Sequence, residues 1–342
     1  MQYNVEQYIK DLIKIHGYIT LDHYMKIVSN YYYSYRDSIG PSSDFITAPE
    51  ISQMFGEMIG IYLCDIWYKK FQKPFSLVEL GPGNGTMMSD ILRTIQNFPD
   101  IMESLQAVHL VETSKYLINK QKVNLKRFKE IDLYWHENLE EVDGENLFIV
   151  ANEFFDALPI KQLYVEGDDV KEICVASNPQ GNLCLNSIDN TTELNRENFP
   201  KNINFLELSA DRDFYSSLIA NKIFKNNGCA LIVDYGYNKL PNKSTLQAIK
   251  NHKKVGFFEH VGSSDITSLV DFQSIQNIIQ KFDIISNSTT QGEFLINMGI
   301  ETRAQSLINS GASKEKISKE IDRLCSDKEM GNLFKVLEII KI

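Results

Sequence analysis

The chain has 342 residues, 43% hydrophobic and 23% charged, with a formal net charge of -10. That length suits one large α/β domain with embellishments or two smaller units, and the composition is that of an ordinary soluble globular protein. The acidic balance argues against a general nucleic-acid surface, which needs clustered Lys and Arg, and no stretch approaches the roughly 18 apolar residues of a membrane span, so no membrane insertion is expected.

Five scattered cysteines (Cys64, Cys174, Cys184, Cys229, Cys325) contain no CxxC pair. They read as buried thiols in a reducing compartment, with no zinc site or disulfide framework. The six histidines lack metal-ligand spacing, so no metal is expected.

In chain order, the start "MQYNVEQYIKDLIKIHGYITL" carries Glu6 and Asp11 and no long uncharged apolar core. It resembles neither a secretory signal nor an Arg-rich transit peptide. This leans to a bacterial cytoplasmic protein, with the mitochondrial matrix as the alternative. Residues 4–30 show helical periodicity broken near Gly17, which predicts two short helices. "NYYYSYRDSIGPSSDFITAPE" has loop composition. A helix is expected from Pro49 through "APEISQMFGEMIGIYLCDIWYKKF", with Pro49 and Glu50 suited to its first turn.

From Phe75 strands alternate with helices. "FSLVEL", "AVHLVET", "DLYWHE" and "NLFIVANEFFDALP" read as strands, and "TMMSDILRTIQNF" and "SKYLINKQKVNLKRF" as helices. Such alternation implies parallel strands joined by right-handed crossovers. Residues 161–187 instead hold strand-like pieces separated by turn signals and predict an antiparallel insert, extended to about 161–205. A helix over 210–226, the strand "CALIVDYG" and a helical and strand-rich tail follow. The expected division is an N-terminal helical segment, 1–60, and a main domain, 61–342, that carries the insert.

The turn "ELGPGNGT" sits between a strand and a helix. Gly81, Gly83 and Gly85 permit positive φ and close backbone approach to a ligand, and the helix from Thr86 offers free N–H groups. A dinucleotide fingerprint would need glycine where Thr86 stands, and the phosphate-cradling GxxxxGK[ST] is absent. Glu79, just before the turn, would repel a pyrophosphate but suits a ligand bearing an ammonium and a sulfonium. Glu112 ends the next strand, where an acid can accept from ribose hydroxyls. These features favour S-adenosylmethionine over NAD, against the plainer alternative of a Gly-rich turn. "HENL" (Asn138, Leu139) falls where a third strand would meet the adenine, although a bland strand end explains it as well.

"ANEFFDALPIKQ" lies at the carboxyl end of the fourth strand, where open α/β sheets bind ligands. Asn152, Glu153 and Asp156 could hold a cationic acceptor, because a guanidinium keeps its charge and carboxylates are its natural clamp. A solvated strand-to-loop turn is the alternative. Asp234 in "VDYGY" is either a further site residue or a turn former.

In order, "DFITAPEISQMFGE", "ELGPGNGTMMSDILR", "NEFFDALPIKQ", "DYGY", "DITSLVDF" and "QGEFL" resemble the MidA-like family of S-adenosylmethionine-dependent protein arginine methyltransferases. Its eukaryotic members are mitochondrial assembly factors for respiratory complex I. The resemblance runs from about residue 44 to "MGNLFKVL". It implies a seven-stranded Rossmann-like S-adenosylmethionine-dependent methyltransferase fold, with methylation of a protein arginine such as one on a complex I subunit. Carried over residue by residue, Glu79, Gly81, Pro82, Gly83, Gly85, Thr86, Glu112 and Thr113, with Asn138 and Leu139, form the cofactor cradle. Thr47, Pro49, Glu50 and Ile51 form a lid, and Asn152, Glu153 and Asp156 the acceptor end. Members often carry Arg where this chain has Asn84, which loosens one local ion pair. A small-molecule methyltransferase and a non-catalytic assembly factor that binds its partner remain the alternatives. Homodimerisation is left open.

Overall fold

The structure is a computed structural model that describes residues 4–35 and 47–341. Much of the predicted loop, and Asp44 to Ile46 at the head of the "DFITAPE" motif, lie outside the described residues.

The N-terminal pattern forms α1 (Val5–His16), the short strand β1 (Ile19–Thr20) and α2 (Leu21–Tyr35). Asn4 caps α1 by accepting from Gln7 N, and Gly17 ends it at φ 83°, a conformation that costs glycine little. The helix expected from Pro49 is split into α3 (Ala48–Ile51) and α4 (Gln53–Ile66). At Ser52 the backbone is extended (φ -155°, ψ 135°) and the side chain accepts from Met54 N. Serine competes with the helix for backbone donors and makes a cap in mid-pattern. The continuous-helix expectation is therefore corrected to a one-turn helix set at the start of a longer one.

The alternating segment forms β2 (Phe75–Leu80), α5 (Thr86–Ile95), α6 (Pro99–Ser104), β3 (Leu105–Val111), α7 (Lys115–Asn124), β4 (Leu133–His136) and β5 (Leu147–Asn152). The insert supplies β6 (Lys161–Glu166), β7 (Asp169–Ser177), β8 (Leu183–Asp189) and β9 (Phe205–Leu208), followed by α8 (Ala210–Asn226) and β10 (Gly228–Tyr237). Beyond lie β11 (Gln247–Lys250), β12 (Lys253–Val255), β13 (Asp265–Thr267), β14 (Val270–Asp271), α9 (Phe272–Ile279) and β15 (Ile285–Thr290). The tail contains α10 (Gln291–Asn297), α11 (Ile300–Asn309), α12 (Lys314–Cys325), α13 (Met330–Leu333) and β16 (Phe334–Ile340).

The central sheet runs β15-β16-β10-β5-β2-β3-β4, with β14 added at the end of β10. Its strands are parallel from β10 to β4, and β16 runs antiparallel between β10 and β15. All six residues of β2 and all six of β5 are buried, as expected for strands covered on both faces. Successive side chains serve opposite layers. Leu77, Phe148, Val150 and Leu231 join the core under α4, α5 and the C-terminal helices. Val78, Ile149, Ala151 and Ile232 join the core under α8 and α9. The fold class expected from the sequence holds.

The insert and the N-terminal segment are not separate appendages. Strand β1 pairs antiparallel with β7, and β6 and β7 pair with β9 and β8 in the same sheet. Ile9, Leu21, Tyr24, Met25 and Val28 pack with Ile160 and Val175 of the insert and with Ala248 and Ile266 of the β11–β13 sheet. Three segments distant in sequence thus share one apolar cluster beside the carboxyl ends of the central strands.

Candidate functional site

A cavity of about 670 Å³ opens at those strand ends, between the β2–α5 turn, α3, the turn after β5, and α2. The turn adopts the left-handed conformation at Gly81 (φ 61°), Gly83 (φ 53°) and Gly85 (φ 76°). A Cβ on Gly81 would sit 3.0 Å from the Phe154 ring, and one on Gly85 3.3 Å from Gln121 Cγ. Glycine is therefore favoured here by conformation, and a Cβ would press on the Phe154 and Gln121 side chains. Gly85 N donates to Pro82 O at 2.7 Å, and α5 starts without a side-chain cap, which leaves first-turn N–H groups free for a ligand.

Glu79 is only 2% exposed yet lines the cavity. Burial, with the nearby Glu112 carboxylate, pushes its carboxyl up to about 8. Its Oε2 is buried without a hydrogen-bond partner. An orphaned carboxylate oxygen facing a cavity fits a cationic ligand group, which would restore its charged form.

Glu112 follows β3 and accepts from Ser114 N at 2.8 Å and from Gln121 Nε2 at 3.3 Å. Burial raises its carboxyl and these donors oppose the rise. Gln121, fully buried in α7, also donates to Gly83 O at 2.8 Å and accepts from Trp135 Nε1 at 2.9 Å. One amide therefore fixes the turn, the acid and β4 together. Nothing in the sequence pattern of α7 marked Gln121.

Above the turn, Glu50 Oε1 accepts from Thr86 Oγ1 at 2.7 Å and from Asn84 Nδ2 at 3.2 Å. Asn84 Oδ1 accepts from Lys120 Nζ at 3.4 Å. Helix α3 is thus held to the turn by hydrogen bonds to a neutral amide and a hydroxyl.

The turn after β5 places Glu153 at φ 50°, which costs a non-glycine residue about 1–3 kcal/mol and recurs at functional sites. Glu153 Oε1 accepts from Ala48 N at 3.2 Å and Asn152 Nδ2 at 3.5 Å. Burial, then the Asp156 charge, raises its carboxyl to about 8. Asn152 Oδ1 is buried and unpartnered. Five carboxylates (Glu50, Glu79, Glu112, Glu153, Asp211) and one cation, Lys26, line the cavity among the described residues.

Asp234 and Arg212 hold this turn from behind. Asp234 Oδ2 accepts from Phe155 N at 2.8 Å and Asp156 N at 3.2 Å, which makes it the turn former of the two roles open in the sequence. Arg212, 7% exposed, donates to the carbonyls of Phe155 (2.8 Å), Ser268 (3.0 Å) and Leu269 (2.9 Å) and to Ser268 Oγ (2.8 Å). Sequence reasoning missed Arg212. Its signal was an arginine in register with Ser216, Ile219 and Ile223 on the buried stripe of α8.

Thr47, Pro49, Glu50, Glu79, Gly81, Pro82, Gly83, Thr86, Glu112, Thr113, Asn152 and Glu153 converge on the cavity. Five expected residues do not line it. Gly85 shapes the turn from outside, and Ile51 packs against the main core. Asp156, 5% exposed, is raised to about 6 by burial against the opposing Arg212 charge and lies behind Glu153. Asn138 donates to Glu141 at 3.2 Å, and Leu139 is fully buried in the opposite core layer.

Residues 58–287 match the family model of S-adenosyl-L-methionine-dependent methyltransferases. The Caenorhabditis elegans "Protein arginine methyltransferase NDUFAF7 homolog, mitochondrial" is 31% identical, over 97% of this chain and 85% of its own length. The human "Protein arginine methyltransferase NDUFAF7, mitochondrial" is 31% identical, over 96% of this chain and 81% of its own. A Burkholderia thailandensis protein solved with bound S-adenosyl-homocysteine superimposes with a TM-score of 0.88 at 21% identity, over 98% of this chain and 92% of that one. A cavity with an orphaned acid beside a glycine turn, at the carboxyl ends of this sheet, agrees with the family match: the chain belongs to the S-adenosyl-L-methionine-dependent methyltransferases.

Proposed function

We propose that the chain methylates an arginine side chain of a protein, with Glu153 as the residue that holds the acceptor. The observation that carries this reading is the composition of the cavity wall: among the described residues, five carboxylates against a single exposed lysine. Such a wall suits two cationic occupants, with Glu79 at the end of β2 and Glu153 just after the neighbouring β5. The names of the relatives specify arginine as their acceptor, and a guanidinium matches a carboxylate better than any other side-chain cation.

S-adenosyl-L-methionine supplies a methyl group on a sulfonium. Glu79, Gly81, Gly83, Thr86 and Glu112 are the residues to hold it, with Glu50 closing α3 over the turn. Glu153 orients the guanidinium and takes the proton released when the new N–C bond forms. Its carboxyl is raised to about 8 in the ligand-free site, and a bound guanidinium would favour the ionised form that accepts the proton. The rest of the rate comes from positioning and exclusion of water. The motif resemblance points to a complex I subunit as the acceptor protein, and the word mitochondrial in the relatives' names fits the mitochondrial alternative.

The test is incubation with methyl-labelled S-adenosyl-L-methionine and arginine-bearing protein substrates, followed by mass spectrometry. Label on guanidino nitrogens, lost in Glu153→Gln, is the expected result. Label confined to lysine, carboxyl groups or small molecules would overturn it.

A further inference from the structure

We infer that α2, which precedes the matched family region, is a wall of the acceptor site and selects substrates by the residues flanking the target. This rests on the protein-acceptor reading above. Helix α2 has two faces. Leu21, Tyr24, Met25 and Val28 are buried and hold the helix to the insert and the β11–β13 sheet. Lys26, Ser29, Asn30 and Tyr33 recur at i, i+3, i+4 and i+7 on another face, and all four line the cavity.

Two anchors lay this face across the cavity. Near one end of α2, Asp22 pairs with Lys161 Nζ at 3.9 Å, just past the Leu158–Pro159 stretch of the lining. Near the other, Tyr33 O accepts from Ser114 Oγ at 2.7 Å, beside the Glu112 acid. Tyr33 is further fixed by its hydroxyl, which donates to Asp265 at 3.0 Å. The helix rises about 1.5 Å per residue, so Lys26 lies about 10 Å along α2 from Tyr33, toward the Leu158–Pro159 stretch of the lining.

The polar face has unused capacity there. Ser29 Oγ is buried without a hydrogen-bond partner, a cost that a ligand's polar group would relieve. Lys26 is exposed, makes no ion pair among the described residues and is the one cation of the lining. A peptide carrying the target into an acidic cavity would meet a hydroxyl suited to its main chain and an ammonium at the rim. That ammonium favours an acidic neighbour of the target and disfavours a basic one.

The test uses the full chain loaded with S-adenosyl-homocysteine and two fluorescent peptides, with the target arginine flanked by Glu or by Lys. Lys26→Glu should shift the ratio of affinities toward the Lys-flanked peptide by about tenfold, the scale of two partly exposed charge contacts. Its thermal midpoint and S-adenosyl-homocysteine affinity should stay unchanged. Ser29→Ala should weaken both peptides by about threefold to tenfold at a constant ratio. No peptide binding, or a ratio indifferent to Lys26→Glu, would overturn the inference. Binding with the expected shift but no methylated arginine would leave the role of α2 standing and strike the arginine reading instead.

Discussion

The backbone N–H of Ala48 donates to Glu153 Oε1 at 3.2 Å, which joins the first turn of α3 to the strained turn after β5. The candidate acceptor residue is therefore also a latch for the segment over the cofactor turn. Opening α3 and freeing the Glu153 carboxylate are one event. On the proposed reading, a guanidinium entering the site would compete with Ala48 for the same oxygen.

Glu153→Gln should reduce methyl transfer by about a hundredfold or more, because it removes charge directed at a developing cation. Glu153→Gly should abolish transfer without lowering the thermal midpoint, since glycine relieves the φ of 50° while losing one hydrogen bond. Calorimetry beside a radiometric assay checks both. A Gly variant several degrees less stable would refute the strain.

The stability of the ligand-free protein should fall as pH rises from about 5 to about 8. Glu79 and Glu153 are raised to about 8 in the fold, whereas an unfolded glutamate ionises near 4.3. In that window the folded state binds more protons than the unfolded one, so the stability slope is negative. A cationic ligand removes the penalty by favouring both carboxylates. The midpoint gain on adding S-adenosyl-L-methionine should accordingly be larger at pH 8 than at pH 6, and Glu79→Gln should flatten that difference.

Gln121→Ala should weaken S-adenosyl-L-methionine binding by about tenfold and cost about 1–3 kcal/mol of stability. It strands Gly83 O and one oxygen of Glu112, both buried against the turn. Titration calorimetry and denaturant unfolding separate the two effects. Intact affinity would show that the turn holds its shape unaided.

Arg212→Met should destabilise the fold by about 3–5 kcal/mol, since the carbonyls of Phe155, Ser268 and Leu269 lose their donor in the interior. Arg212→Lys cannot reproduce the fork and should recover only part. Soluble yield and chemical denaturation measure this. A wild-type midpoint in Arg212→Met would remove Arg212 from the support of Glu153.

The elements whose period matches their environment were legible in the sequence. "FSLVEL" and "CALIVDYG" are mostly apolar because both faces of their strands are covered, with Ser76, Glu79 and Asp234 as the polar exceptions, and the Gly81–Gly85 turn is set by backbone conformation that only glycine adopts freely. Ser52 was not legible, because a serine inside an apolar helical pattern is as often exposed as it is a cap. Asp156 and Leu139 were placed at the cavity by proximity to true lining residues. A one-residue step along a turn reverses which side a carboxylate faces, and only the hydrogen bonds of Asp234 and Arg212 decide that. The union of α1, α2, the insert and the β11–β13 sheet depends on contacts across more than two hundred residues, which no local pattern carries.

The order β15-β16-β10 has a consequence for synthesis on the ribosome. Among the described residues strand β15 pairs only with β16, and β16 spans Phe334–Ile340. Until those residues emerge from the exit tunnel, β15 has no ladder to join and one edge of β10 stays open. The nascent chain can assemble its cofactor turn early, but it must carry an exposed sheet edge until Phe334–Ile340 have been made.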